Sequence, residues 1–454
     1  MNLKIFRVSV AILLLTAGLA CPHVSMAQDI DPSVIGNRGE FTRPGVTELT
    51  DVITVQLTMS EAIGLALAKN PLLSAFFKEI GAREGALQQT GLFPNPELVF
   101  ELENFGGSDV FREFDGVETT VSVSQLVELG GKRKNRQLLS SIDKTLAEWD
   151  YQSKKLDVLS ATAKAFMEVL IAQKHVILNN ELLKLAQHTA DVVSEKVDAG
   201  KVSPVEKSRA NIELAVVRTE AEKTVRDLES KRRRLAGYWG SERAGFLRVE
   251  GQLDNITELP PESSFRAVLD NNPDLARWSA EIKRSEASLS LAYSEAVPDF
   301  SLSFGVRNFQ ETDSNAFLVG ISIPIPLFNR NQGGIIEAQA LAEKARLEQQ
   351  ATRITLMTDL SDAWQSLSAA YTEVISLRDE ILPNALRTFE STELGYREGK
   401  FDLLQMLDAQ RTLFTVKRQH LLALGNYLSA NIDIERITGI RMHDFASKNI
   451  KGSE

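Results

Sequence analysis

Histidine, cysteine and paired carboxylates are the side chains with which proteins bind metals and move protons, and this sequence disperses them. His175, His188, His420 and His443 stand far apart, and none pairs at the three- or four-residue spacing that would place two imidazoles on one helical turn for zinc. The methionines are as scattered and form no cluster for a soft cation. Cys21 is the only cysteine. No Gly-x-Ser-x-Gly string, phosphate-binding glycine loop or metal-hydrolase helix occurs. Asp/Glu pairs abound, but they fall on helix faces as surface charge rather than as an acid–base couple. Trp149, Trp239, Trp278 and Trp364 read as packing residues. The expectation is no catalytic residue, no resident metal site and no cofactor.

The totals point the same way. A formal charge of −10 over 454 residues argues against nucleic acid as a partner, because phosphate binding wants a basic face. The one basic cluster, Lys231-Arg232-Arg233-Arg234, reads as the solvated face of a helix. Hydrophobic content of 43% beside 25% charged residues is ordinary for a folded chain.

The first 27 residues have the layout of an export signal. Lys4 and Arg7 precede an apolar core from Val8 to Ala20, and Ser25-Met26-Ala27 is a small-x-small cleavage site, with cleavage after Ala27. Removal of Lys4 and Arg7 takes the charge from −10 to −12, and Cys21 leaves with them, so the mature chain has no disulfide and no thiolate. Gly18-Leu19-Ala20-Cys21 has the small residue of a lipoprotein signal before its cysteine, but Gly18 stands where leucine is usual. Beyond Cys21 no stretch approaches 18 consecutive apolar residues. An exported chain without a spanning helix is periplasmic, secreted, or a β-barrel of the outer membrane.

Everything after residue 56 reads twice. Glu61 to Pro71 resembles Phe265 to Pro273, and Leu92-Phe93-Pro94 returns as Ala296-Val297-Pro298. Asp198-Ala199-Gly200-Lys201 returns as Arg397-Glu398-Gly399-Lys400, and Ala236-Gly237 as Thr438-Gly439. A period near 200 residues is far longer than a solenoid repeat and indicates duplication of a whole unit. The expected division is a signal at 1–27, an extension at 28–56, a first repeat at 57–253, a linker at 254–264 with Pro260-Pro261, a second repeat at 265–440 and a tail at 441–454.

Each repeat opens with about 30 helical residues, with Ser60 and Ser263-Ser264 expected as caps. The period then changes to two, at about 97–127 and 299–325. Leu98, Phe100 and Leu102, then Val121 and Val123, alternate with mostly polar residues, as do Phe300, Leu302, Phe304 and Val306, then Phe317, Val319 and Ile321. Four strands of about 8–10 residues with one apolar face fit tilted membrane-barrel strands, and fit a half-buried soluble hairpin as well. Four strands cannot close a barrel, so a membrane reading requires several chains in one barrel.

A long helical hairpin follows in each repeat, at about 132–237 and 333–439. Residues 134–199 contain neither proline nor glycine, and Trp149, Leu156, Ala163, Leu170 and Ile177 recur every seven. Leu360, Leu367, Val374 and Ile381 do the same in the second repeat, where Pro383 is a candidate kink. Gly200, Lys201, Val202 and Ser203 before Pro204 read as one sharp turn, and Gly399, Lys400 and Phe401 before Asp402, a helix cap, as the other.

With Glu128-Leu129-Gly130-Gly131-Lys132-Arg133 after the second strand, this duplicated layout resembles the outer-membrane efflux proteins of the TolC type, over about residues 57–439. The same string resembles their heavy-metal, CzcC-like branch. The resemblance implies a mainly α fold with a membrane β-barrel part. Three chains would make a homotrimer with an α-barrel tunnel and a shared twelve-stranded outer-membrane barrel. It implies a passive exit duct without enzymatic activity, working with a periplasmic adaptor (membrane fusion protein) and an inner-membrane RND pump and seated in outer-membrane lipid. The cargo expected is divalent heavy-metal cations of the cobalt, zinc and cadmium type. Matching the second turn to the family places the two aperture positions at Gln405 and Asp408, so the first of the family's two acids is missing, and Asp402 stands one turn earlier. The turns at Gly200, Lys201, Val202, Ser203 and at Gly399, Lys400, Phe401 are the implied adaptor surface. The alternatives are a duct for organic drugs or other cargo, a periplasmic coiled-coil adaptor, and a secreted enzyme. An adaptor should carry one hairpin rather than two, and an enzyme should carry a catalytic constellation.

Overall fold

The computed structural model describes residues 54–440 apart from 267, 270 and 271. The expected signal with its cleavage after Ala27, Cys21, most of the 28–56 extension, His443 and the 441–454 tail lie outside the described residues. Element order is β1 (Thr54–Thr58), α1 (Met59–Lys69), α2 (Pro71–Thr90), β2 (Glu97–Glu103), β3 (Glu118–Val127), α3 (Lys132–Asp198), α4 (Pro204–Gly237) and β4 (Phe246–Glu250). The second half has α5 (Glu262–Arg266), α6 (Pro273–Glu295), β5 (Phe300–Phe309), β6 (Ser314–Ser322), α7 (Gln332–Ser376), α8 (Leu382–Arg397) and α9 (Leu403–Thr438).

The opening helices are each broken at an Asn-Pro pair. Asn70 caps α2 through Leu73 N–H (3.0 Å), and its amide donates to the Tyr238 carbonyl just past α4 (2.7 Å). Asn272 repeats the device on α6, receiving Asp274 N–H at 2.6 Å and donating to the Ile437 carbonyl near the end of α9 at 2.6 Å. Proline at the first helical position lacks only a donor that would be unpaired anyway. The expected serine caps are corrected. Thr58, not Ser60, caps α1 in a reciprocal box with Glu61, and Ser263 and Ser264 lie inside α5. In the first case the Thr58 hydroxyl lies three residues before Glu61, the spacing that satisfies both backbone donors.

The four long strands form one antiparallel sheet in the order β2-β3-β5-β6. β2 has seven residues, shorter than expected, because Pro94 and Pro96 precede it; β6 ends at Ser322, before Pro324. The sequence reading missed β1 and β4, which pair in parallel across almost 200 residues, with Gln56 opposite Arg248. Both are five residues long, too short to carry a period.

α3 runs unbroken for 67 residues, about 100 Å at about 1.5 Å per residue. It packs against α4 on one side and α9 on the other, and α9 packs against α7 and α8. The principal core lies where these helices meet β4 and α5, around Phe166, Val169, Leu170, Phe265, Leu360, Leu367, Leu424 and Tyr427. Pro383 does not interrupt the second long run. A π turn at Leu377–Ile381 precedes it and the helix continues. One extra residue in that turn moves the seam: Leu360, Leu367 and Val374 are buried at steps of seven, Ile381 comes round exposed, and Leu382, Phe389 and Tyr396 resume the seam after a step of eight.

Candidate functional site

The sheet has two unlike faces. Register places Leu98 opposite Val123, Phe100 opposite Val121, Val121 opposite Val306, and Val123 opposite Phe304. Phe304 faces Val319 and Val306 faces Phe317 on the last pair. All of these side chains share one face and are exposed, Phe317 by 90%. A continuous apolar face of this kind is unfavourable in water and suits hydrocarbon. The opposite face is polar. Arg307 donates from Nε to Thr120 Oγ1 (2.8 Å) and forms ion pairs with Glu118 and Glu103 (2.9 Å each), and Glu97 and Glu101 are exposed on the same face.

Among the described residues the sheet ends in two free edges, β2 and β6. Neighbouring strands alternate in direction throughout, so β6 of one copy set beside β2 of another continues the antiparallel order. The helices repeat this situation. The lateral order α4-α3-α9-α7/α8 leaves α4 and α7/α8 as the outer members, with Val205, Ile212, Val216 and Val225 exposed on one and Ile354, Leu386 and Leu394 on the other.

Leu129, Gly130 and Gly131 position the strand-to-helix joint. Gly130 (φ +69°) lies so close to the second half that a β-carbon there would stand 2.9 Å from Val297 Cβ and 2.9 Å from the Ser294 carbonyl oxygen. Leu129 N–H donates to Asp299 Oδ1 (2.8 Å) and Lys132 Nζ reaches the same oxygen (2.7 Å). Burial raises the Asp299 carboxyl, but these two donors outweigh it and hold the group below the usual carboxylate range.

At the hairpin tips the chain turns through left-handed Gly200 (φ +70°) and Gly399 (φ +76°). Ser203 caps α4 through Val205 N–H (3.3 Å). Asp402 caps α9 through Gln405 N–H (2.8 Å), and Gln405 Oε1 accepts from Asp402 N–H in return (3.1 Å). The structure therefore brings Asp402 and Gln405 together and leaves Asp408 exposed one turn on, along a shallow groove with Thr388, Phe401 and Thr412. A buried cluster of Ala190, Val193, Ala210, Tyr396, Leu403, Met406 and Leu407 joins the two tips.

Sequence reasoning missed the polar links between the hairpins. Lys196 Nζ lies 3.9 Å over the Tyr396 ring and donates to the Tyr396 carbonyl (3.3 Å). Arg411 on α9 is ion-paired with Glu213 on α4, whose hydrogen bond, with help from the Asp408 charge, holds the guanidinium above its ordinary value. These partners lie about 200 residues apart, and no local spacing announces them.

Among the described residues no three His, Cys, Asp or Glu side chains are placed to hold a metal ion, and no helix is long and apolar enough to cross a membrane.

The family model described as outer membrane efflux protein matches residues 62–241 and again 265–440. The chain belongs to the outer membrane efflux protein family. It is 34% identical over 386 residues to the cobalt-zinc-cadmium resistance protein CzcC of Cupriavidus metallidurans, covering 84% of this chain and 90% of that one. It is 23% identical to the pyoverdine export outer membrane protein OpmQ of Pseudomonas aeruginosa, over 82% of this chain and 81% of the relative. Its fold is that of the Campylobacter jejuni CmeC outer membrane channel, with a TM-score of 0.72 at 17% identity, over 87% of this chain and 88% of that one. For this outer membrane efflux protein the apolar sheet face is the lipid-facing part, and the long helices are the part that extends into the periplasm.

Proposed function

We propose that three copies of this chain form the passive exit duct of a tripartite efflux system, performing no chemistry of their own and carrying divalent heavy-metal cations across periplasm and outer membrane. One observation carries the duct: an exposed apolar sheet face bounded by two free edges whose strand directions match. Lipid can accept that face only if both edges are paired, and a ring of copies pairs them all. Three chains give the twelve strands expected of the family. The signal ends at Ala27, and repeats at 57–253 and 265–440 join through 254–264. An inner-membrane RND pump drives transport through a periplasmic adaptor. The adaptor meets Gly200, Lys201, Val202 and Ser203 on one tip and Gly399, Lys400 and Phe401 on the other. Asp402, Gln405 and Asp408 line the periplasmic aperture, where three copies of Asp408 favour cations.

The cargo rests on the likeness to the cobalt-zinc-cadmium resistance protein, the relative that covers the chain at 34% identity. The likeness to a pyoverdine export protein supports a second reading, a duct for organic cargo. A strain lacking the chain separates them when exposed to zinc, cobalt, cadmium, nickel, copper and silver beside organic drugs, with complementation by the intact gene. Metal cargo predicts selective sensitivity to some of the cations with raised cellular metal. Sensitivity to drugs alone would overturn it and keep the duct.

A further inference from the structure

The polar face of the four-stranded sheet carries several carboxylates and a single cation. Glu97, Glu101 and Glu103 on β2 and Glu118 on β3 share that face, and Arg307 on β5 is the only lysine or arginine in the four strands. The helices adjoin the strand ends at Glu97, Val127, Phe300 and Ser322, so Glu103, Glu118 and Arg307 stand towards the far end of the sheet. In the proposed barrel that end is the outer mouth of the lumen.

Aligning Pro94 with Pro298 places Glu103 at Arg307, so the two repeats put opposite charges at one position. These residues flank β3 on either side. The Arg307 guanidinium reaches across β3, with Nη2 on Glu103 Oε2 and Nη1 on Glu118 Oε2 (2.9 Å each). Asn104 Nδ2 also donates to Glu118, at Oε1 (2.9 Å). Glu103 and Glu118 are directly opposite each other in the ladder. Side chains so placed have β-carbons about 4.5–5.5 Å apart, and like charges there repel. The guanidinium relieves that repulsion. Its position has a second consequence, because both carboxylates end on one planar group and so converge on a point that one cation fills. Converging carboxylates are oxygen donors for a divalent cation. A conduit must bind its cargo weakly enough to let it leave.

We infer that Arg307 is a specificity-determining residue of the duct: by holding Glu103 and Glu118 it denies passing divalent cations a two-carboxylate site at the outer mouth and so speeds their release. This rests on the ring of copies proposed above, whose lumen the polar face lines.

The test compares wild type and Arg307 variants, extracted as oligomers from outer membranes, in planar bilayers with cadmium as the probe. Arg307→Gln should raise the potassium-over-chloride permeability and let cadmium block the current at about tenfold lower concentration than in wild type. Arg307→Lys keeps the charge but lacks the planar fork that grips both carboxylates, so its block should fall between the two. In a Glu103→Gln, Glu118→Gln background, Arg307→Gln should add no block, since the pair it uncovers is gone. A purely structural Arg307 would lower the temperature at which the oligomer dissociates and leave permeability and cadmium block as in wild type. That result overturns the inference, as does a block that persists without Glu103 and Glu118. If Arg307→Gln does not assemble, Arg307→Lys decides: cadmium sensitivity equal to wild type overturns the inference. If wild type conducts no ions, the duct reading fails and the inference with it.

Discussion

Asp402 and Gln405 cap each other's backbone, whereas the exposed Asp408 carboxylate lies outside that cap and lends its charge to Arg411. Asp402→Ala should therefore act on stability, lowering it by about 1 kcal/mol as a lost cap, with cation preference nearly unchanged. Asp408→Asn should act on selectivity, reducing the cation-over-anion permeability measured in planar bilayers by about twofold or more. Equal permeability changes in the two variants would contradict this division. Two histidines set an acid limit. Burial holds His175 below its ordinary value, with Lys231 and Arg418 adding and Asp227 opposing. Burial does the same at His420, where Asp254 opposes and Arg378 adds. A lowered folded value means that the folded state favours neutral imidazole. The stability this gives is complete above the unfolded value of about 6.5 and is lost as pH falls below it. The melting temperature of the extracted protein should fall between about pH 7 and pH 5, and His175→Gln with His420→Gln should flatten that slope. A slope unchanged in the double variant would refute the assignment.

Elements are joined here by charge as well as by apolar seams. Arg436 on α9 reaches Asp157 on α3 (2.7 Å) and Asp274 on α6 (3.0 Å), fastening three helices at one point. At Asp157 burial raises the carboxyl, but hydrogen bonds from Lys154 and Arg436 more than offset it, so the group sits low. Arg436→Met would leave two half-exposed carboxylates facing each other and should destabilise by about 1–2 kcal/mol, read by thermal melting at neutral pH. A loss that vanishes once the carboxylates are protonated, below about pH 4, would identify the cause as their charge. At this scale the sequence was largely readable. The seven-residue seams marked α3, α7 and α9, the period of two marked β2, β3, β5 and β6, and the glycine turns marked both tips. The π turn escaped notice because its only trace is the step of eight from Val374 to Leu382, and seams tolerate one such step. β1 and β4 escaped because a five-residue parallel pair joining distant segments has no local signature. The candidate aperture was only partly readable. The Asp402 cap follows from local spacing, whereas Glu213 beside Arg411 and Lys196 beside Tyr396 arise from packing between hairpins.

The molecule as a whole presents unsatisfied edges. A sheet with an exposed apolar face and free strands at both sides, continued by helices with exposed apolar residues on both outer members, is incomplete as a single chain. Lipid and further copies complete it, and the alternation of strand directions lets every copy join the next in the same way. The measurement that tests this most directly is the mass of the protein extracted by mild detergent from purified outer membranes, counted in chains. Three chains that stay together in detergent and conduct ions when reconstituted are the expected result. A single chain released in soluble form with the periplasmic fraction would contradict it.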